Sequence, residues 1–111
     1  MPDQKSEDYE SKRIGATPTP NSGRGRAKKG DSIIYMNGEA LLTVDVKEYS
    51  ESFGLSRSAW NKIRQDAKTN NSKPCLKVVL GTDEPRIRTV VISEEMFNEL
   101  METYRERWED E

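Results

Sequence analysis

The sequence predicts an α/β (or α+β) domain built on a small mixed β-sheet flanked by helices, and three observations carry that expectation. Four apolar stretches, at residues 32–36, 40–47, 75–80 and 87–92, have the length and residue types of strands. Two longer segments, 56–68 and the stretch after Ser93, instead space their apolar residues at helical intervals. Short turn signals separate these segments, and the chain of 111 residues suffices for one domain without an internal repeat. Because charged residues (34%) outnumber hydrophobic ones (32%), the core is expected to be thin, and a second copy or a nucleic acid would bury further surface.

Taken in order, residues 1–10 are polar and charged, with a short helix expected over 7–14. Residues 15–30 carry two prolines, four glycines and no large apolar side chain. They read as a basic loop with extended backbone at Thr17-Pro18-Thr19-Pro20. Residues 1–30 are assigned to this N-terminal segment of the domain and residues 31–111 to its core. Residues 32–36 form the first strand, Asn37-Gly38 is a strong hairpin signal, and residues 40–47 return as the second strand. In that second strand Leu42, Val44 and Val46 point one way while Thr43, Asp45 and Lys47 point the other. Ser56 is the N-cap of a helix over 56–68 whose stripe is Ala59, Trp60, Ile63 and Ala67. Residues 70–74 form a turn, 75–80 a strand, 81–85 a turn and 87–92 a strand. Ser93 caps the last helix, with Glu94 and Glu95 at its positive end. Its apolar face, Met96, Phe97, Leu100, Met101, Tyr104 and Trp108, is expected to pack into the core or an interface.

Composition narrows the chemistry. The chain has no histidine, which removes histidine-based zinc sites and Ser-His-Asp catalysis. A metal site must therefore be oxygen-rich, which favours magnesium or manganese. Cys75, the only cysteine, sits in an apolar run and reads as a buried strand residue. No apolar signal segment or membrane-length run is present, so a cytoplasmic protein is expected (the host cytoplasm for a phage-encoded one). The net charge of -2 conceals an asymmetry. Lys12, Arg13, Arg24, Arg26, Lys28 and Lys29 fall in a stretch without an acid, suited to DNA phosphates, whereas residues 94–111 are acidic.

Asp31 stands at the mouth of the first strand, and Asp45 and Lys47 lie about 7 Å apart on one face of the next. If the hairpin makes these strands neighbours, the two aspartates approach closely enough to share a divalent cation, with Lys47 placed to orient an attacking water or neutralise developing charge. The Asp-x-Lys triplet alone is far more often a solvated strand edge or a surface ion pair.

A run of short motifs sharpens this reading. Residues 21–31, ending in Lys29-Gly30-Asp31, then Asp45-Val46-Lys47, Ser52-Phe53-Gly54-Leu55 and Lys73-Pro74 before an apolar strand, together resemble the PD-(D/E)xK nuclease superfamily. Its small Holliday-junction-resolvase-like and phage endonuclease members are the most similar. The resemblance implies a restriction-endonuclease-like core and a magnesium-dependent DNA endonuclease, acting on Holliday junctions or other branched DNA as a homodimer. It implies that Asp31, Asp45 and the carbonyl of Val46 bind Mg2+ (or Mn2+) and that Lys47 is the catalytic lysine. A further acid on the first helix falls on Glu10, with Glu7 in reserve. Ser22, Arg24, Arg26, Lys28 and Lys29 would contact DNA. Two other readings remain beside it: a non-catalytic nucleic-acid-binding module on a nuclease-like fold, and a small regulatory protein that binds a partner through the acidic C-terminal helix.

Overall fold

The computed structural model describes residues 4–19 and 31–109. The elements run α1 (Gln4–Arg13), β1 (Thr17–Pro18), β2 (Ser32–Met36), β3 (Glu39–Tyr49), α2 (Arg57–Thr69), β4 (Lys73–Leu80), β5 (Ile87–Ile92) and α3 (Glu94–Glu109). The five strands form one open sheet in the order β1-β2-β3-β4-β5. Only β3 and β4 are parallel, joined by the α2 crossover; the other neighbours are antiparallel. The expected α/β class and mixed sheet are therefore present.

Local chemistry accounts for the joints. Asn37 and Gly38 both take positive φ, 54° and 82°, the signature of the two-residue turn that matches strand twist. Ser56 and Ser93 cap their helices as their positions predict, accepting bonds from the amides of Ala59 and Met96, each at 3.0 Å. A bulge between Ile34 and Tyr35 leaves Leu41 without a direct partner and turns it toward the core.

The sheet buries both faces. On one, Leu42, Val44, Cys75 and Met96 pack with Ala16 and Ile14, which follow α1. On the other, Leu76 and Val78 meet Ile63 of α2, flanked by Phe53, Trp60 and Val91. As an interior strand covered on both faces, β4 is buried from Cys75 to Val79. The Cys75 thiol is pushed up to about 11 by burial, so it is not a nucleophile at neutral pH. Among the described residues no helix is long and apolar enough to cross a membrane.

Three expectations differ from the structure. Thr17–Pro18, read as loop, adds a short edge strand to β2, an edge where proline's missing N–H is tolerated. Lys73 and Pro74, read as turn, begin β4, in register with Leu42 and Thr43. The third concerns α3, whose apolar face does not pack into the domain core: only Met96 is buried, while Phe97, Leu100, Tyr104 and Trp108 are 52%, 47%, 56% and 60% exposed. The helix leaves an edge strand, so only its beginning meets the sheet.

Candidate active site

The β2–β3 hairpin makes the strands carrying the two predicted aspartates neighbours. The register ends at Ser32 paired with Val44, and Asp31 and Asp45 are the next residues along the chain beyond that pair. Asp31 is 5% exposed, and its carbonyl accepts bonds from the Thr19 amide (3.1 Å) and hydroxyl (2.8 Å), which tie β1 to the start of β2. Asp45 and Lys47 project from the same side of β3, as alternation predicts. Their ion pair closes at 3.1 Å with each side chain about a quarter exposed. Beyond Val44, β3 has no β2 partner among the described residues, so this part of the strand presents an open edge. Val46 lies between the pair with its side chain in the core.

Helix α1 adds a further acid. The Glu7 carboxyl is raised above its usual range, first by burial and then by repulsion from Asp45, Glu48 and Asp8, with Lys47 opposing. Glu7, Asp45 and Lys47 therefore share one electrostatic field. Ser6, beside Glu7, donates to both carboxylate oxygens of Glu48 at 2.9 and 3.0 Å, fixing the N-terminal turns of α1 against β3.

Glu10 is committed elsewhere. Completely buried, it accepts Lys77 Nζ (2.7 Å) and Arg88 Nε (3.0 Å) on Oε1, and Arg86 Nη2 (2.7 Å) and Arg88 Nη2 (3.0 Å) on Oε2. Lys77 Nζ also donates to the Glu10 carbonyl at 2.7 Å. Burial alone would raise this carboxyl, but the bonds from Arg88 and Lys77 outweigh it and hold it below the usual range. Because Lys77 pairs in register with Val46, this cluster occupies the sheet face opposite Asp45 and Lys47. The structure thus brings Asp31, Asp45, Lys47 and Glu7 to one region and places Glu10 across the sheet from it.

Sequence reasoning passed over Lys77, Arg86, Arg88 and Glu48. The available signal was a lysine inside the run Cys75-Leu76-Lys77-Val78-Val79-Leu80, since a charge in a central strand must find a buried partner. The predicted DNA contacts Ser22, Arg24, Arg26, Lys28 and Lys29 lie outside the described residues. Lys12 and Arg13 end α1 exposed, with the Arg13 guanidinium 5.9 Å from the Tyr9 ring centre.

Among the described residues no three acids stand close enough to form a ready-made metal cluster. Two aspartates at this end of the hairpin are nevertheless a donor set that suits magnesium, which commonly takes one or two protein carboxylates and keeps water in its remaining positions. A scan against protein-family models gives no match to this chain, and neither the curated proteins nor the solved structures yield a significant one.

Proposed function

We propose that this protein is a magnesium-dependent DNA endonuclease with a restriction-endonuclease-like core, acting on branched DNA such as a Holliday junction. The observation that carries the reading is that Asp31 and Asp45 both adjoin the last pair of the β2–β3 register, Ser32 with Val44, while Lys47 is in contact with Asp45. Those are the positions that the resemblance to PD-(D/E)xK nucleases assigns to its two acids and lysine, and a mixed sheet flanked by helices agrees with that core.

Asp31, Asp45 and the carbonyl of Val46 would hold the ion, which when bound supplies charge to polarise a phosphodiester and acidify water. The chain's own groups do the rest. Lys47, partly exposed and already beside Asp45, orients the attacking water or neutralises charge developing on the phosphate. Glu7 extends the acidic field from α1 and is the first-helix acid that this reading favours over Glu10. Ser22, Arg24, Arg26, Lys28 and Lys29 precede Asp31 closely in sequence, so phosphate contacts from them would bring the DNA backbone near that aspartate.

Magnesium binding is checked by thermal unfolding. Magnesium in large excess over its dissociation constant stabilises the wild type by about 2.7 kcal/mol at a hundredfold excess, and EDTA reverses the gain. Asp45→Asn is expected to lose most of that gain. An equal magnesium response in both proteins would remove Asp45 from the site.

A homodimer suits a substrate that presents two strands for cutting. The α3 stripe, where Phe97, Leu100, Tyr104 and Trp108 are exposed, would offer an apolar surface to a two-fold-related copy. Sedimentation equilibrium is expected to give a dimer for the wild type and a monomer for Leu100→Glu/Tyr104→Glu; a monomeric wild type would refute the assignment.

A further inference from the structure

Helix α2 presents a further cationic surface, on residues distinct from the predicted DNA-binding positions 22–29. Arg57, Asn61, Arg64 and Lys68 recur at intervals of four, three and four residues, which stacks them along one side of the helix. All four are exposed, and the stripe spans about 16 Å, equal to about five nucleotide steps of a duplex strand. Beside it lie two confluent open grooves. One, of about 580 Å³, is lined by Leu55, Arg57, Trp60, Asn61 and Arg64; the other, of about 540 Å³, continues past Trp60, Arg64 and Lys68 to Ser72 and Lys73.

The charge pattern distinguishes this surface from the rest of the sheet. Lys47, Lys73, Lys77, Arg86 and Arg88 each hold a carboxylate. Arg57, Arg64 and Lys68 hold none among the described residues. The one acid lining the grooves, Glu95, is itself bound by Lys73 at 2.7 Å. Asp66, the only acid of α2, lies on a different side of the helix from the stripe. Three cations in a row that pair with no acid among the described residues, beside the half-buried indole of Trp60, match an extended polyanion.

We propose that this flank of α2 is a second, non-catalytic DNA surface that grips the phosphodiester backbone of a substrate arm outside the cleavage site. The inference rests on the DNA-nuclease reading for the identity of its polyanion, and it adds a reason for branched DNA: a branch supplies one segment to the Asp31–Asp45 region and another to α2.

The test measures binding of a fluorescent four-way DNA junction in EDTA, where cleavage plays no part, across a series of salt concentrations. The wild type is compared with Arg57→Ala/Arg64→Ala/Lys68→Ala and with Arg105→Ala/Arg107→Ala, which removes charge from α3 instead. The α2 variant is expected to bind at least about tenfold more weakly and to lose about 2–3 from the slope of log K against log salt, as expected for three phosphate contacts. The α3 variant is expected to keep the wild-type slope. Alanine favours helix at these exposed positions, and an unchanged far-UV spectrum checks the fold. Equal slopes in the wild type and the α2 variant would overturn the proposal, as would a slope loss equal in both variants. Loss of self-association in the α2 variant with junction binding intact would also overturn it, by assigning the surface to the acidic helix of a second copy. A lost slope in a protein that never cuts DNA would sustain this surface while refuting the nuclease reading.

Discussion

Replacing Lys47 by alanine is expected to reduce magnesium-dependent DNA cleavage by about 10²–10⁴-fold, the range associated with loss of a positioned proton-transfer group. The fold should survive, because Lys47 is partly exposed and its bond to Asp45 is a single ion pair of the kind worth little to stability. Junction binding in EDTA should also persist, since the loop and α2 cations are untouched. Single-turnover cleavage under enzyme excess checks this, with melting temperature as the control. A variant that cuts as fast as the wild type would remove Lys47 from the chemistry, and one that fails to fold would show that the ion pair is structural.

The second large effect lies across the sheet. Glu10→Leu is expected to destabilise the domain by about 3–5 kcal/mol, because it strands buried Lys77 and removes the buried carboxylate of Arg86 and Arg88, leaving the two arginines only the exposed Glu84 to share. Against a total stability of about 5–15 kcal/mol for a domain, that loss is large. Lys77→Met is expected to cost less, since Glu10 would retain both arginines and the methionine fills similar space in an apolar strand. Urea unfolding of the two variants measures the order; a milder loss for Glu10→Leu than for Lys77→Met would contradict it. The same cluster sets an acid limit. Glu10 is held below the usual carboxylate range by its cations, and Glu84 is held down to about 2, chiefly by its bond from Arg88. Carboxyls whose folded pKa is depressed give stability that is complete above the ordinary carboxylate range. That stability is lost as pH falls from there towards 2.

The two acids of α1 have separate surroundings. Glu7 and Glu10 are three residues apart, and sequence could not say which side of their helix meets which face of the sheet. The deciding contacts are long-range: Ser6 reaches Glu48 on β3, and Glu10 reaches Lys77 on β4, Arg86 just before β5 and Arg88 on β5. Elements set by local chemistry were legible, among them the Asn37-Gly38 turn and the serine caps at 56 and 93. The alternation in β3 was legible too, because Val44 and Val46 must be buried while Asp45 keeps its solvent, and this predicted the Asp45–Lys47 side correctly. Strand β1 was not, because two residues in a proline-rich stretch make no pattern and owe their extension to pairing with β2. The α3 stripe showed apolar periodicity truthfully, but periodicity does not say whether the covering surface lies in the same chain.

What unites the placement of Asp31 and Asp45, the Lys47 pair and the cationic flanks is the expectation of phosphodiester hydrolysis at one end of β3. The most direct measurement is incubation of the wild-type protein with end-labelled four-way junction, flap, nicked and linear duplex DNA, in magnesium or in EDTA. The account predicts magnesium-dependent incision of the branched substrates ahead of the linear duplex, with no cutting in EDTA. Binding of all four without incision in magnesium or manganese would contradict it and make the protein a DNA-binding module on this fold.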